Sequence, residues 1–95
     1  MSKSILQSEK YCYVCGAISG LHDHHIYYGT GKRSISEKYG FKVYLCGRHH
    51  NLSEFGVHFD KSLDLRLKRA CQKEYEKTHS REEFVKIIGE NYIGD

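Results

Sequence analysis

FKVYLCGRHH, residues 41–50, carries a strand directly into a metal-type knuckle. Phe41 to Cys46 alternate and are rich in aromatic and β-branched side chains, the composition of a half-buried strand. The strand then runs into Gly47–His50, where Cys46-x-x-His49 has the spacing of a knuckle that points two side chains at one ion. A matching pair, Cys12-x-x-Cys15, lies roughly thirty residues earlier. Gly16 follows it and frees the backbone for the tight turn. Two such pairs are the pattern of a structural zinc site with three cysteines and one histidine, so Cys12, Cys15, Cys46 and His49 are the expected zinc ligands. The competing reading makes Cys12 and Cys15 buried thiols and His49 a surface residue. Cys71 stands apart from both pairs, on the apolar side of a helical segment, and reads as core.

The knuckles frame a surplus of imidazoles. Six of the seven histidines lie between positions 22 and 58, and once His49 is given to zinc and His22 is set aside as no ligand, His24, His25, His50 and His58 remain. His24 and His25 are adjacent in HDHHIYYG, residues 22–29, which reads as strand through Ile26, Tyr27 and Tyr28. Neighbouring strand residues face opposite sides, so the two cannot easily bind one ion together. One can ligate while the other faces a water, and a neutral imidazole can take a proton from that water near neutral pH. Asp23 shares the second face and could orient an imidazole or be solvated. His22 reads as a surface residue or a partner that supports a ligand rather than a ligand itself, and His79 as a surface residue.

Elsewhere the pattern is coarser. Residues 1–10 read as a polar arm, and GTGKRSISEKYG, residues 29–40, as a glycine loop with room for one helical turn near Ile35–Tyr39. From Asp60, a capping residue, Leu63, Leu67, Ala70 or Cys71, and Tyr75 recur at helical spacing. Ser80 with Glu83 forms a capping box for a second helix, with Phe84, Ile87 and Ile88 apolar and Gly89 at its end. With 95 residues, 39% of them hydrophobic and 28% charged, the chain is expected to form one domain. Its parts are the arm, a core over residues 11–59 and two helices over 60–95. A core this small gains from a metal staple. The net charge of +3 permits nucleic-acid binding without requiring it. Lys32, Arg33 and Arg48, near the proposed metal, are candidate phosphate contacts. Lys68, Arg69 and Lys73 read rather as solubilising charge, Tyr27 as core and Tyr28 as a cleft wall. MSKSILQSEK lacks the apolar run of a signal peptide and no stretch approaches a membrane span, so a soluble cytoplasmic protein without a membrane partner is expected.

The order CxxC, HDHHI, LCxxHH and a helical stretch resembles the HNH nucleases of the zinc-bearing, phage-type branch. The resemblance covers roughly residues 11–59. It implies an α+β fold: a small ββα-metal, treble-clef-like core with a structural zinc, followed here by two C-terminal helices. It also implies metal-dependent hydrolysis of DNA phosphodiesters in a bacterial host cell, and because nothing in the sequence reads as a base-specific recognition element, low sequence specificity is expected. The host or its phage would then supply a recombination or replication partner. By position, His24 matches a ligand of the catalytic divalent ion (Mg, Mn, Ni or Zn), His25 the general base and His50 a second ligand. His58, in GVHF, is similar to a further ligand in phage-encoded members. Two departures stand out. Residues 27–45 hold no asparagine, so either a substitute such as Ser34, Ser36 or a backbone group steadies the base or the site is impaired, and His49 replaces a fourth cysteine. Two non-catalytic alternatives remain open: a zinc-finger nucleic-acid-binding module, and an adaptor acting through its C-terminal helices.

Overall fold

The computed structural model describes residues 4–29, 31–50 and 60–94. Along the chain come β1 (Leu21–His25), α1 (Lys32–Tyr39), β2 (Lys42–Cys46), α2 (Gly47–His50), α3 (Lys61–Tyr75) and α4 (Arg81–Ile88). The two strands pair antiparallel, with His22 opposite Leu45, Asp23 opposite Tyr44, His24 opposite Val43 and His25 opposite Lys42. This is a small α+β arrangement of a two-stranded sheet and helices. The core gathers Ile26, Tyr27, Phe41, Val43 and Leu45 from the sheet region, Leu63, Leu67, Cys71 and Tyr75 from α3, and Phe84 and Ile88 from α4. Tyr27 sits at its centre. Its ring packs 5.5 Å from those of Phe41, Phe84 and Tyr92, and its hydroxyl donates to the Lys68 carbonyl at 2.6 Å.

The two C-terminal helices follow the sequence closely. Asp60 caps α3, its side chain accepting from the backbone of Ser62 and Leu63 at 3.0 and 3.1 Å. Leu63, Leu67, Cys71 and Tyr75 form the buried stripe. Ser80 and Glu83 form the capping box of α4, and Gly89 ends it in the left-handed region. Cys71 is buried, and that burial pushes its thiol up to about 12, the signature of an inert core cysteine.

Two expectations are corrected and a third is extended. Residues 32–39 form a helix, not a glycine loop. The glycines bracket the segment rather than break it: Gly31 and Gly40, both at positive φ, cap its two ends, and KRSISEKY between them contains no glycine. The strand does not continue through Tyr28. β1 ends at His25, and the buried Ser36 hydroxyl binds both backbone groups of Tyr27, accepting from its N–H at 3.1 Å and donating to its carbonyl at 2.6 Å. The peptide groups a strand partner would satisfy are thus taken by α1. Finally, the polar arm is tied to the sheet over its described residues. Ser4 donates to the Lys42 carbonyl, Ile5 N–H to the Gly40 carbonyl at 3.0 Å, and the buried Gln7 side chain accepts from Tyr44 N–H at 2.8 Å. With Tyr13 N–H donating to the Tyr44 carbonyl at 2.9 Å, these residues cover the edge of β2 that faces away from β1.

Candidate metal centre and histidine cleft

Cys12 and Cys15 lie in a tight turn closed by Gly16 N–H donating to the Cys12 carbonyl at 2.8 Å, with Gly16 at φ 81°. Cys46 ends β2, and His49 follows on the single turn of α2. The sheet brings the two pairs together, because Tyr13, inside the first knuckle, is bonded to Tyr44, two residues before the second. One ligand atom from each of Cys12, Cys15, Cys46 and His49 lies within 4.8 Å of all the others. The Cys15 and Cys46 sulfurs are 3.7 Å apart, and His49 Nδ1 is 3.8 Å from the Cys12 sulfur and 3.3 Å from that of Cys46. A tetrahedral zinc with bonds of about 2.3 Å to sulfur spaces its sulfurs roughly 3.8 Å apart. The donor set and its spacing therefore fit, and the cluster could hold a metal ion such as zinc. Burial alone would raise the Cys12 thiol, but the backbone N–H groups of Cys46, Cys15 and Val14 and the Cys15 side chain bring it down to about 6. A thiol poised toward thiolate suits a metal ligand.

Immediately beside this cluster, α2 delivers His50 to β1. His22 and His24 share one face of β1 with Val43 and Leu45 of β2 opposite them, and Asp23 and His25 share the other with Tyr44 and Lys42. His24 is buried at 3% exposure, its ring centroid 5.3 Å from that of His50 and 6.1 Å from that of Tyr28. A cleft of about 200 Å³ is lined by Asp23, His24, His25, Tyr28, Arg33 and His50, so residues from both faces of β1 reach it. His24, His25, His50 and Arg33, singled out in the sequence, are thereby brought together, and Tyr28 forms the wall expected of it. His58 lies outside the described residues.

Of the two places expected for His22, surface or support of a ligand, the second agrees with its contacts: its Nδ1 lies 2.8 Å from Nδ1 of His50, with the rings edge to face at 4.8 Å. Strand alternation placed it on the His24 face, and α2 then brought His50 against it. The remaining basic candidates are dispersed. Lys32 lies 4.0 Å from Glu90, and Arg48 is exposed on α2 outside the lining of the cleft. On α3, Lys68 pairs with Asp64 at 2.8 Å beneath Tyr28 and Tyr92, and Arg69 donates to the Tyr92 carbonyl at 2.9 Å. Those two cations bind the C-terminal segment to α3.

The opposite face of β1 holds residues the sequence reading missed. His25 Nε2 is 2.9 Å from Glu37 Oε1, and Lys42 Nζ reaches Glu37 at 3.1 Å and Asp23 at 3.3 Å. Neither Ser34 nor Ser36 steadies His25. Ser34 donates to the Gly31 carbonyl at 3.1 Å, and Ser36 is committed to Tyr27. Glu37 went unnoticed because its segment read as loop. Lys42 carried the one usable signal, a charge inside an otherwise apolar and aromatic strand. No helix among the described residues is long and apolar enough to cross a membrane. Comparison with known proteins finds no matching family model, no matching curated protein and no matching solved structure.

Proposed function

We propose that this chain is a metal-dependent endonuclease of the HNH type that hydrolyses DNA phosphodiester bonds with little sequence preference, in the cytoplasm of a bacterial cell. In this reading Cys12, Cys15, Cys46 and His49 hold a structural zinc, and His24 and His50 bind a second, divalent ion. The observation that carries it is a separation of roles. The four-ligand cluster needs none of the cleft histidines, yet His24, His25, His50 and Arg33 line one cleft directly beside it. A divalent ion there would stabilise negative charge on the scissile phosphate and the leaving oxygen. His25 takes the proton from the attacking water, Arg33 holds a phosphate oxygen, and Tyr28 walls the cleft.

The test is nicking of supercoiled plasmid by the purified protein with magnesium, manganese or nickel. His25→Ala should slow cutting by at least about 100-fold. An unchanged rate in that variant, or no cutting by the parent protein with any of these metals, removes the proposal. One observation favours a non-catalytic, zinc-bearing nucleic-acid-binding module instead: His22 and His50 approach nitrogen to nitrogen at 2.8 Å, so one can satisfy the other without an ion. That reading gives one metal per chain and DNA binding without turnover, whereas the nuclease shows a second, exchangeable metal.

A further inference from the structure

The Asp23–His25–Glu37–Lys42 group lies on the face of β1 turned away from His22 and His24. Asp23, His25 and Glu37 each offer a ligand atom within 4.8 Å of the others, so a cation site is the first reading to weigh. The Lys42 ammonium argues against it. The residue is 4% exposed, and Nζ lies against Asp23 Oδ2 at 3.3 Å and both Glu37 oxygens at 3.2 and 3.1 Å. Burial alone would lower the Lys42 pKa, but Glu37 and Asp23 outweigh that and raise it, so the ammonium stays charged. A fixed cation already occupies the space between the two carboxylates and offsets part of their charge, and a metal ion would have to displace it.

The group is nonetheless arranged around His25. Lys42 is its cross-strand partner, and Glu37 stands on α1, which Ser36 locks to the backbone of Tyr27, two residues beyond His25. The carboxylate is therefore held from two sides, by a buried ammonium and by a helix fastened to the end of the strand it serves. We propose that Glu37 is the positioning residue for His25: its carboxylate accepts from Nε2–H, fixing the ring and the tautomer and leaving Nδ1 as the nitrogen that takes the proton. Lys42 in turn holds Glu37 in place through contacts to both of its oxygens. The inference rests on the reading of His25 as the base, and it puts a carboxylate where the sequence pointed to a serine or a backbone group. An acceptor on one imidazole nitrogen determines which nitrogen is basic, and outer partners of this kind are commonly worth about 10- to 100-fold in activity.

The test uses the full chain purified with its metal, and compares it with Glu37→Ala and the near-isosteric Glu37→Gln, whose amide oxygen can still accept. Proton–nitrogen NMR of histidine side chains at about pH 8, where free imidazole is neutral, should show a slowly exchanging Nε2–H on His25. That proton should vanish in Glu37→Ala and persist in Glu37→Gln. Plasmid cleavage should show kcat reduced about 10- to 100-fold in Glu37→Ala with KM unchanged, and a smaller loss in Glu37→Gln. Equal cutting by all three proteins, or a His25 proton absent from the parent or indifferent to Glu37→Ala, overturns the proposal. Should Glu37→Ala not fold, a Glu37→Gln variant slower than about 100-fold or lacking the proton overturns it equally. If the parent protein cuts no DNA but the proton behaves as expected, the nuclease reading falls while the positioning contact stands.

Discussion

The cysteine cluster and the histidine cleft meet at consecutive residues, His49 and His50, yet they are built in different ways. The cluster is two local pairs, each with its side chains three positions apart, joined by long-range contacts that include the Tyr13–Tyr44 backbone bond and the Cys46 N–H on the Cys12 sulfur. The cleft draws its side chains from four parts of the chain: β1, the segment after it, α1 and α2. The first is a site that short-range spacing nearly assembles. The second exists only once strand register and the docking of two helices are fixed. Damage to the cluster should therefore be global, and damage around the cleft local.

The largest effect is expected from metal removal. Metal binding by a zinc cluster of this kind contributes on the order of 10 kcal/mol to folding, comparable to the whole stability of a small domain. Chelation, or Cys46→Ser, should abolish the cooperative thermal transition followed by circular dichroism. A melting temperature that does not move would show that the cluster staples nothing. Ser36→Ala sharpens the other side of the comparison. It leaves a buried N–H and carbonyl of Tyr27 without the hydroxyl, which should cost about 1–3 kcal/mol in urea unfolding. It should also loosen α1 from β1, weakening the His25–Glu37 contact while full zinc content is kept; loss of zinc from this variant would show that cleft and cluster are not separable. The smallest effect is Asp60→Ala, a helix cap that does not line the cleft. About 1 kcal/mol of stability should be lost, with neither metal content nor cleavage altered.

How much was legible follows from how far apart the determining residues lie. The knuckles, the caps of α3 and α4, the α3 stripe and the Cys71 core position were all readable, because each is a pattern within a few turns of chain. Alternation also split His24 from His25 correctly, since side-chain direction in a strand is a local property. The α1 segment was misread because glycine serves equally as a loop former and as a helix terminator, and only its position relative to the hydrogen bonds distinguishes the two. Gln7 and Gln72 carried no signal in the sequence. Both are buried: Gln7 bonds to Tyr44 and Tyr11, and Gln72 to Glu76, Asn91 and Tyr92. A buried amide has no local signature, since it is tolerated only where distant partners happen to satisfy it.

By itself, then, the sequence determined the ligand pairs, the helices at the C-terminal end and the fact that β1 presents imidazoles on both faces. These are set by spacing, capping and periodicity, interactions that close over a few residues. Tertiary structure decided which imidazoles meet. It set His50 against His22 and His24 and left Arg33 at the same opening, and it brought Glu37 and Lys42 to His25. Those pairings depend on a strand register and on a helix anchored by one buried serine, neither of which any short window of residues contains.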